Sequence, residues 1–217
     1  MSDFEYIWSA LPFMLEGLVL TVQVTGVSFI IAMIVGFPIA LARVSRIRAL
    51  RTCAAGYIMV VRNTPLLAQL FIYFFVLAAH GVLLSPLMAG ILALSTQFSA
   101  YIAEAYRGGY QSVSVGQSEA ASAVGLGGWN TLVWVIGPQA IRPTIPVLTG
   151  ILIQMLKDSS VLSAITLTEV FGATKQLANQ SFRYTALYLT LGMLYLAVSY
   201  PAGRVIARLE HKLGKIQ

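Results

Sequence analysis

The amino-acid sequence predicts an all-α, polytopic membrane protein of five transmembrane helices, with its N-terminus outside and its C-terminus in the cytoplasm. Three observations predict it. Of 217 residues, 58% are apolar and 10% charged, with mean hydropathy +0.79, whereas an ordinary soluble domain carries about a quarter charged residues. The apolar residues come in blocks near or above the ~20 residues a helix needs to cross the hydrocarbon core. The basic residues sit at alternate ends of those blocks, as the positive-inside rule requires.

The blocks cover 17–42, 54–79, 87–106, 131–156 and 184–207, and they fill a single domain, 1–217. The first is too long for a signal-peptide core and has no basic stretch ahead of it, so the mature chain is expected to start at Met1. Arg43, Arg46, Arg48 and Arg51 follow the first block, Arg107 ends the third, and Arg204, Arg208, Lys212 and Lys215 follow the fifth. The segment before the first block holds Asp3, Glu5 and Glu16 without Lys or Arg. The net charge of +6 is therefore an orientation and lipid-headgroup signal, and a nucleic-acid partner is not expected. The single cysteine, Cys53, excludes an internal disulfide and a cysteine metal cluster and is read as packing, and His80 and His211 are far apart.

Between the spans two stretches are long. Residues 107–131 are cytoplasmic by this topology and rich in small residues, with a short helix over Ser118–Val124 closed by Gly125 in a left-handed cap. A helix with so few charges at that surface calls for a partner. Residues 157–183 lie outside and contain Val161–Ile165 and Val170–Phe171, too short to cross and suited to an interfacial or re-entrant helix.

Polar residues inside the spans fall on single helical faces, which marks those faces as bundle-facing. Thr21, Thr25 and Ser28 do so in the first span, Arg62, Leu66, Gln69 and Tyr73 in the second, and Gln97, Tyr101 and Glu104 in the third. Thr185, Tyr188, Gly192, Tyr195 and Ser199 form the stripe of the fifth. Such stripes serve either close helix packing or a polar substrate path. Gln69 and Gln97 stand between the two readings, Glu104 with Arg107 makes an i, i+3 ion pair, and Lys157 with Asp158 is either an interface anchor or a contact for an amino acid's charges. Pro38, Pro65, Pro138, Pro143 and Pro146 favour kinks.

The run Gly116-Gln117-Ser118-Glu119-Ala120-Ala121, then Gly125, then Pro138-Gln139-Ala140 resembles the EAA loop of binding-protein-dependent ABC importer permeases. Arg62-Asn63-Thr64-Pro65-Leu66-Leu67 with Gln69, Ala100-Tyr101 and Ala103-Glu104 with Arg107-Gly108-Gly109, and Lys157-Asp158-Ser159-Ser160 resemble the polar amino acid branch of that family. The match covers nearly the whole chain. The resemblance implies an importer of a polar or charged amino acid in the bacterial cytoplasmic (inner) membrane. Gly116, Gln117, Glu119, Ala120, Ala121 and Gly125 would couple to an ATPase dimer, and Asn63, Thr64, Gln69, Gln97, Lys157, Asp158, Ser159 and Ser160 would lie along the substrate path. A second permease subunit, identical or paralogous, and an extracytoplasmic solute-binding protein would complete the assembly. The chain has no GxxxxGK[ST] loop, so it is not expected to be an enzyme or to bind a cofactor, and ATP and Mg belong to the partner ATPase. Gly150, Ser159 and Val161 depart from the branch's usual asparagine, threonine and leucine, which bears on specificity. An opine, an ectoine-like solute or a sulfur amino acid fits the same architecture. An ion-coupled secondary transporter or channel using Glu104, Lys157 and Asp158 is the rival mechanism.

Overall fold

The computed structural model describes the backbone of residues 2–214 and the side chains of residues 2–204. Arg208, His211, Lys212 and Lys215 lie outside the described side chains. Helix α1 runs over Asp3–Val44, well before the first apolar block. Its early start has a local cause: Ser2 Oγ accepts from the Glu5 amide at 3.2 Å while Glu5 Oε2 accepts from the Ser2 amide at 2.8 Å, a reciprocal capping box. With 42 residues the helix is about 60 Å long, roughly twice the hydrocarbon thickness. Its buried line passes through Ala10, Met14, Gly17, Thr21, Val24, Ser28, Ala32, Gly36 and Ala40, an i, i+3/i+4 run of mostly small residues that lets other helices approach closely.

The second span is not one helix. Helix α2, Arg48–Asn63, and helix α3, Leu66–Ala79, meet at a bend of 99°. Pro65 supplies no amide and forces Thr64 into extended backbone (φ −98°, ψ 126°). The common stripe expected for Arg62, Leu66, Gln69 and Tyr73 therefore does not exist: Arg62 is exposed and Gln69 buried. Past the break, α3 contains a π turn over Ile72–Val76.

Helix α4, Pro86–Gln111, is the centre of the bundle, with 61% of its most apolar window buried against 11% for the last span. Helix α5, Val115–Ala123, is the short helix of the connection. Helix α6, Gly128–Ile165, opens with a π turn over Thr131–Ile136, continues as α-helix over Gly137–Asp158 and tightens to 3-10 over Ser159–Ile165. Its prolines Pro138, Pro143 and Pro146 leave it continuous. Helix α7 covers Val170–Ser181 and α8 Tyr184–Gly214.

Apolar clusters organise the bundle: a small one of Ala40, Ile58, Val61, Ala100 and Ala103 joins α1, α2 and α4, and two are larger. Val24, Leu70, Leu94, Phe98, Met155 and Leu162 knit α1, α3, α4 and α6 together. Ala10, Met14, Val170, Ala178, Leu187 and Leu191 join the first turns of α1 to α7 and α8. The segment 157–183 is thus packed against the bundle, with Leu162, Ile165 and Val170 almost fully buried. In α8, Leu187 and Leu191 are buried; of the expected polar stripe Tyr188, Tyr195 and Ser199 are half-buried, with Tyr188 and Tyr195 packed on the Met14 cluster, while Thr185 and Gly192 are exposed. The two leucines share that buried face with the stripe's tyrosines because α8 packs on an apolar cluster. Cys53, read as a packing residue, is exposed on α2.

Candidate functional site

Helix α5 presents a surface of small residues. Gly116, Gln117, Glu119 and Ala120 are exposed, Ala121 is its buried anchor, and Val115 and Val124 at its two ends expose 71% and 76% of their surface. The helix ends in a Schellman motif, with the Leu126 amide donating to Ala121 O and the Gly125 amide to Ser122 O, both at 3.0 Å. That motif requires a left-handed residue, and Gly125 adopts φ +80°. Gln139 Nε2 on α6 donates to Gln117 Oε1 at 3.2 Å and to Val135 O at 2.8 Å. α5 is thereby tied to the base of one spanning helix.

The break between α2 and α3 frees backbone carbonyls that have no water to accept at membrane depth. Side chains satisfy them: Asn63 Nδ2 donates to Met59 O at 2.7 Å, Thr64 Oγ1 to Val60 O at 2.8 Å, and Gln69 Nε2 to Val61 O at 3.0 Å and Thr64 O at 3.2 Å. Gln69 Nε2 also donates to Gln97 Oε1 on α4. Tyr73 and Thr96 hydroxyls meet at 2.8 Å beside this pair, and the Arg62 guanidinium lies 4.8 Å from the Tyr101 ring centroid. Asn63, Thr64, Gln69 and Gln97 thus form a clamp that holds a sharp bend against the central helix. Gln69→Leu is expected to cost about 2 kcal/mol, because it leaves Thr64 O and the Gln97 side-chain carbonyl without this donor, while Val61 O keeps the Thr64 amide at 3.4 Å. Unfolding of the purified protein in detergent by SDS titration checks this, and Gln97→Leu, which leaves the carbonyls satisfied, is expected to cost less.

Glu104 is shared. Arg107 Nη2 and Nε donate to Glu104 Oε2 at 2.6 Å and 3.0 Å, and Arg43 Nε reaches Glu104 Oε1 at 3.4 Å from α1. The i, i+3 pair expected from the sequence is therefore one part of a three-residue cluster, and Arg43 is the member that local spacing could not supply.

The remaining candidates lie on α6. Lys157 is exposed, Asp158 half-buried with its Oδ1 accepting from Gln154 Nε2 at 3.0 Å, and Ser159 fully buried with its hydroxyl donating to Leu156 O at 2.8 Å; Ser160 is half-buried. The charged pair is not brought together with Gln69 and Gln97. Instead it heads a line of open positions that descends the helix through Gln154, Gly150, Arg142 and Gln139, all exposed. Steps of three, four and eight residues keep them within one broad face of the helix. A Cβ at Gly150 would meet nothing within 4 Å. Arg142 and Gln154 were passed over in the sequence, although their spacing to Lys157 and Gln139 was there to be read.

Glu169 was also missed. It is fully buried and caps α7, its Oε2 accepting from the Phe171 amide at 2.9 Å and its Oε1 from the Gly172 amide at 2.8 Å. Thr21 Oγ1 on α1 accepts from the Val170 amide at 3.1 Å and lies 3.3 Å from Glu169 Oε2. Burial raises the carboxyl to about 7, against the opposing pull of the two amides and of Thr21.

The chain as a whole is similar to known proteins. Residues 28–215 match the family model described as the binding-protein-dependent transport system inner membrane component. The "Probable amino-acid ABC transporter permease protein y4tG" of Sinorhizobium fredii is 39% identical over 99% of this chain and 93% of its own. The L-cystine transport system permease protein TcyB of Bacillus subtilis is 34% identical over 94% and 88%. A chain from the crystal structure of an amino acid ABC transporter with histidines superposes with a TM-score of 0.90 at 31% identity, covering 98% of this chain and 99% of that one. A shared family and a shared fold along nearly the full length leave one assignment: the chain belongs to the binding-protein-dependent transport system inner membrane components, as an amino-acid ABC transporter permease.

Proposed function

We propose that this permease forms half of the transmembrane path of an ATP-driven importer of a polar or charged amino acid in a bacterial inner membrane, and that α6 links its two working ends. The observation that carries the reading is the exposed polar line of α6, which begins at Gln139, bonded to Gln117 on α5, and ends at Lys157 and Asp158. Charged and amide groups are costly in lipid and face water or protein. A second permease subunit, identical or paralogous, placed against this face gives the line a shared aqueous cavity. Lys157 and Asp158 supply the opposite charges that an amino acid's carboxylate and ammonium need, beside the buried Ser159 and half-buried Ser160. Asn63, Thr64, Gln69 and Gln97 frame the path by holding the bend.

At the other end, Gly116, Gln117, Glu119 and Ala120 on α5, anchored by Ala121 and Gly125, form the knob seated in a cytoplasmic ATPase dimer. ATP and Mg belong to that dimer, and this chain binds no cofactor. An extracytoplasmic solute-binding protein delivers substrate to the Lys157 end. The cation excess around Arg43 to Arg51 supports an α5 end in the cytoplasm and an N-terminus outside. The relatives' names also support an opine or cystine cargo, because nopaline and L-cystine permeases are 33% and 34% identical to this chain.

Reconstitution in liposomes with the ATPase and the binding protein tests the reading. Ala120→Asp, on an exposed position of α5, is expected to lower substrate-stimulated ATP hydrolysis about tenfold, equivalent to roughly 1.4 kcal/mol of lost contact. Undiminished stimulation would remove α5 as the coupling element. Uptake without nucleotide would favour the ion-coupled rival.

A further inference from the structure

Where α1, α4 and α6 converge at the α5 end of the bundle, they leave a cavity of about 230 Å³ that no side chain fills. Its wall is apolar, built from Phe37, Leu41, Tyr106, Leu132, Ile136 and Ile141. Phe37 and Tyr106 meet edge to face with centroids 5.9 Å apart. Arg107 belongs to its lining, and Arg43 adjoins the lining residue Val44.

The charge around this cavity is one-sided. Arg43 and Arg107 share the single carboxylate of Glu104. Arg43 uses only its Nε there, at 3.4 Å, and its two terminal nitrogens have no partner among the described residues. Arg46, Arg48 and Arg51 follow close by, all exposed. On the α6 side, Trp129 and Trp134 expose 64% and 74% of their surface. Tryptophans so placed mark the headgroup level of a membrane protein, and a basic pocket between spanning helices at that level suits an anionic lipid head.

From this apolar slot below a cationic rim at headgroup depth, we infer that the cavity is a binding site for an anionic glycerophospholipid, one acyl chain inserted between α1, α4 and α6 and the phosphate on Arg43. The wall rejects a free phosphate, which has nothing to place in the slot, and the rim favours an anionic head over a zwitterionic one. Leu132 and Ile136 belong to the π turn that opens α6, next to α5, so the lipid packs against the base of the helix that carries the polar line. The inference stands without an ATPase grip on α5, and lipid retention is read separately from ATP hydrolysis.

Native mass spectrometry of the purified transporter, with phosphatidylglycerol or phosphatidylcholine added at equal concentration, tests it. The unaltered protein is expected to retain phosphatidylglycerol at least tenfold more strongly than phosphatidylcholine. Arg43→Gln, which keeps the Glu104–Arg107 pair, is expected to remove that preference, and Ala140→Phe, which fills the slot, to lower retention of both lipids. Equal retention of both lipids by the unaltered protein would overturn the headgroup assignment. Unchanged retention in both variants would place the lipid elsewhere on the belt. No retained lipid, with a cysteine at position 141 (Ile141→Cys in a Cys53→Ser background) shielded from maleimide in the assembled transporter, would assign the cavity to a second copy of the chain.

Discussion

Gly109→Ala is expected to destabilise the permease by about 3 kcal/mol, the upper end of what overpacking a core costs. A Cβ at this position would stand 2.0 Å from Thr144 Oγ1 and 2.7 Å from Ala140 O. Neither obstacle can turn aside. The carbonyl is helix backbone, and the threonine hydroxyl is pinned by its own bond to Ala140 O at 2.7 Å. The α4–α6 crossing must therefore open, and with it the face of α6 that carries Gln139 to Lys157. Gly108 is the built-in control, because a Cβ there meets nothing within 4 Å; Gly108→Ala is expected to change stability by no more than about 0.5 kcal/mol. Thr144→Ala in the Gly109→Ala background is expected to recover part of the loss and not all of it, since the Ala140 carbonyl stays. SDS-titration unfolding of the three variants in one detergent measures this. Equal stability of Gly108→Ala and Gly109→Ala would mean that the crossing is looser than the geometry says.

The same crossing shows how far sequence could reach. Gly108 and Gly109 are adjacent and equally marked by the family resemblance, yet only one touches another helix, and one-dimensional pattern does not say which. What the pattern could supply was the fold class, because ~20-residue apolar blocks with basic ends have few other solutions. The cap at Gly125 was legible for a different reason: a left-handed residue after a short helix is a local event. Non-local outcomes stayed hidden. Pro65 announced a kink, but a 99° bend depends on donors for the carbonyls beside it, and Gln69, one of those donors, also bonds Gln97 on another helix. The long α1 was legible and overlooked, since Ser2 and Glu5 spell a capping box ahead of residues without a continuous apolar run. The polar line of α6 escaped because helical periodicity reports a polar face without saying whether it turns to this chain, to a second subunit or to water.

Glu169 gives the last expectation its sign. Its carboxyl is raised from an ordinary 4.5 to about 7 because burial penalises the anion more than the Phe171 and Gly172 amides and Thr21 favour it. The folded state thus holds this proton more tightly than the unfolded chain does. The contribution to stability is fully present below about pH 4.5, declines as pH rises toward 7 and is gone above, a loss of about 3 kcal/mol. The transporter is accordingly expected to resist unfolding better at pH 5 than at pH 8 through this group. Glu169→Gln separates them, because its side chain does not titrate while one amide acceptor remains; the difference between the two pH profiles isolates Glu169. Glu169→Leu removes both acceptors from the buried first turn of α7, and its cost at pH 5 is expected to reach about 3 kcal/mol through lost capping and unsatisfied amides. The effect should spread to α1, since a Cβ on Gly17 would stand 3.0 Å from the Glu169 and Val170 backbone, which marks a close approach, and Thr21 accepts from the Val170 amide. Parallel pH profiles for the original protein and Glu169→Gln would show that the carboxyl is ionised throughout, held by the helix N-terminus against its burial.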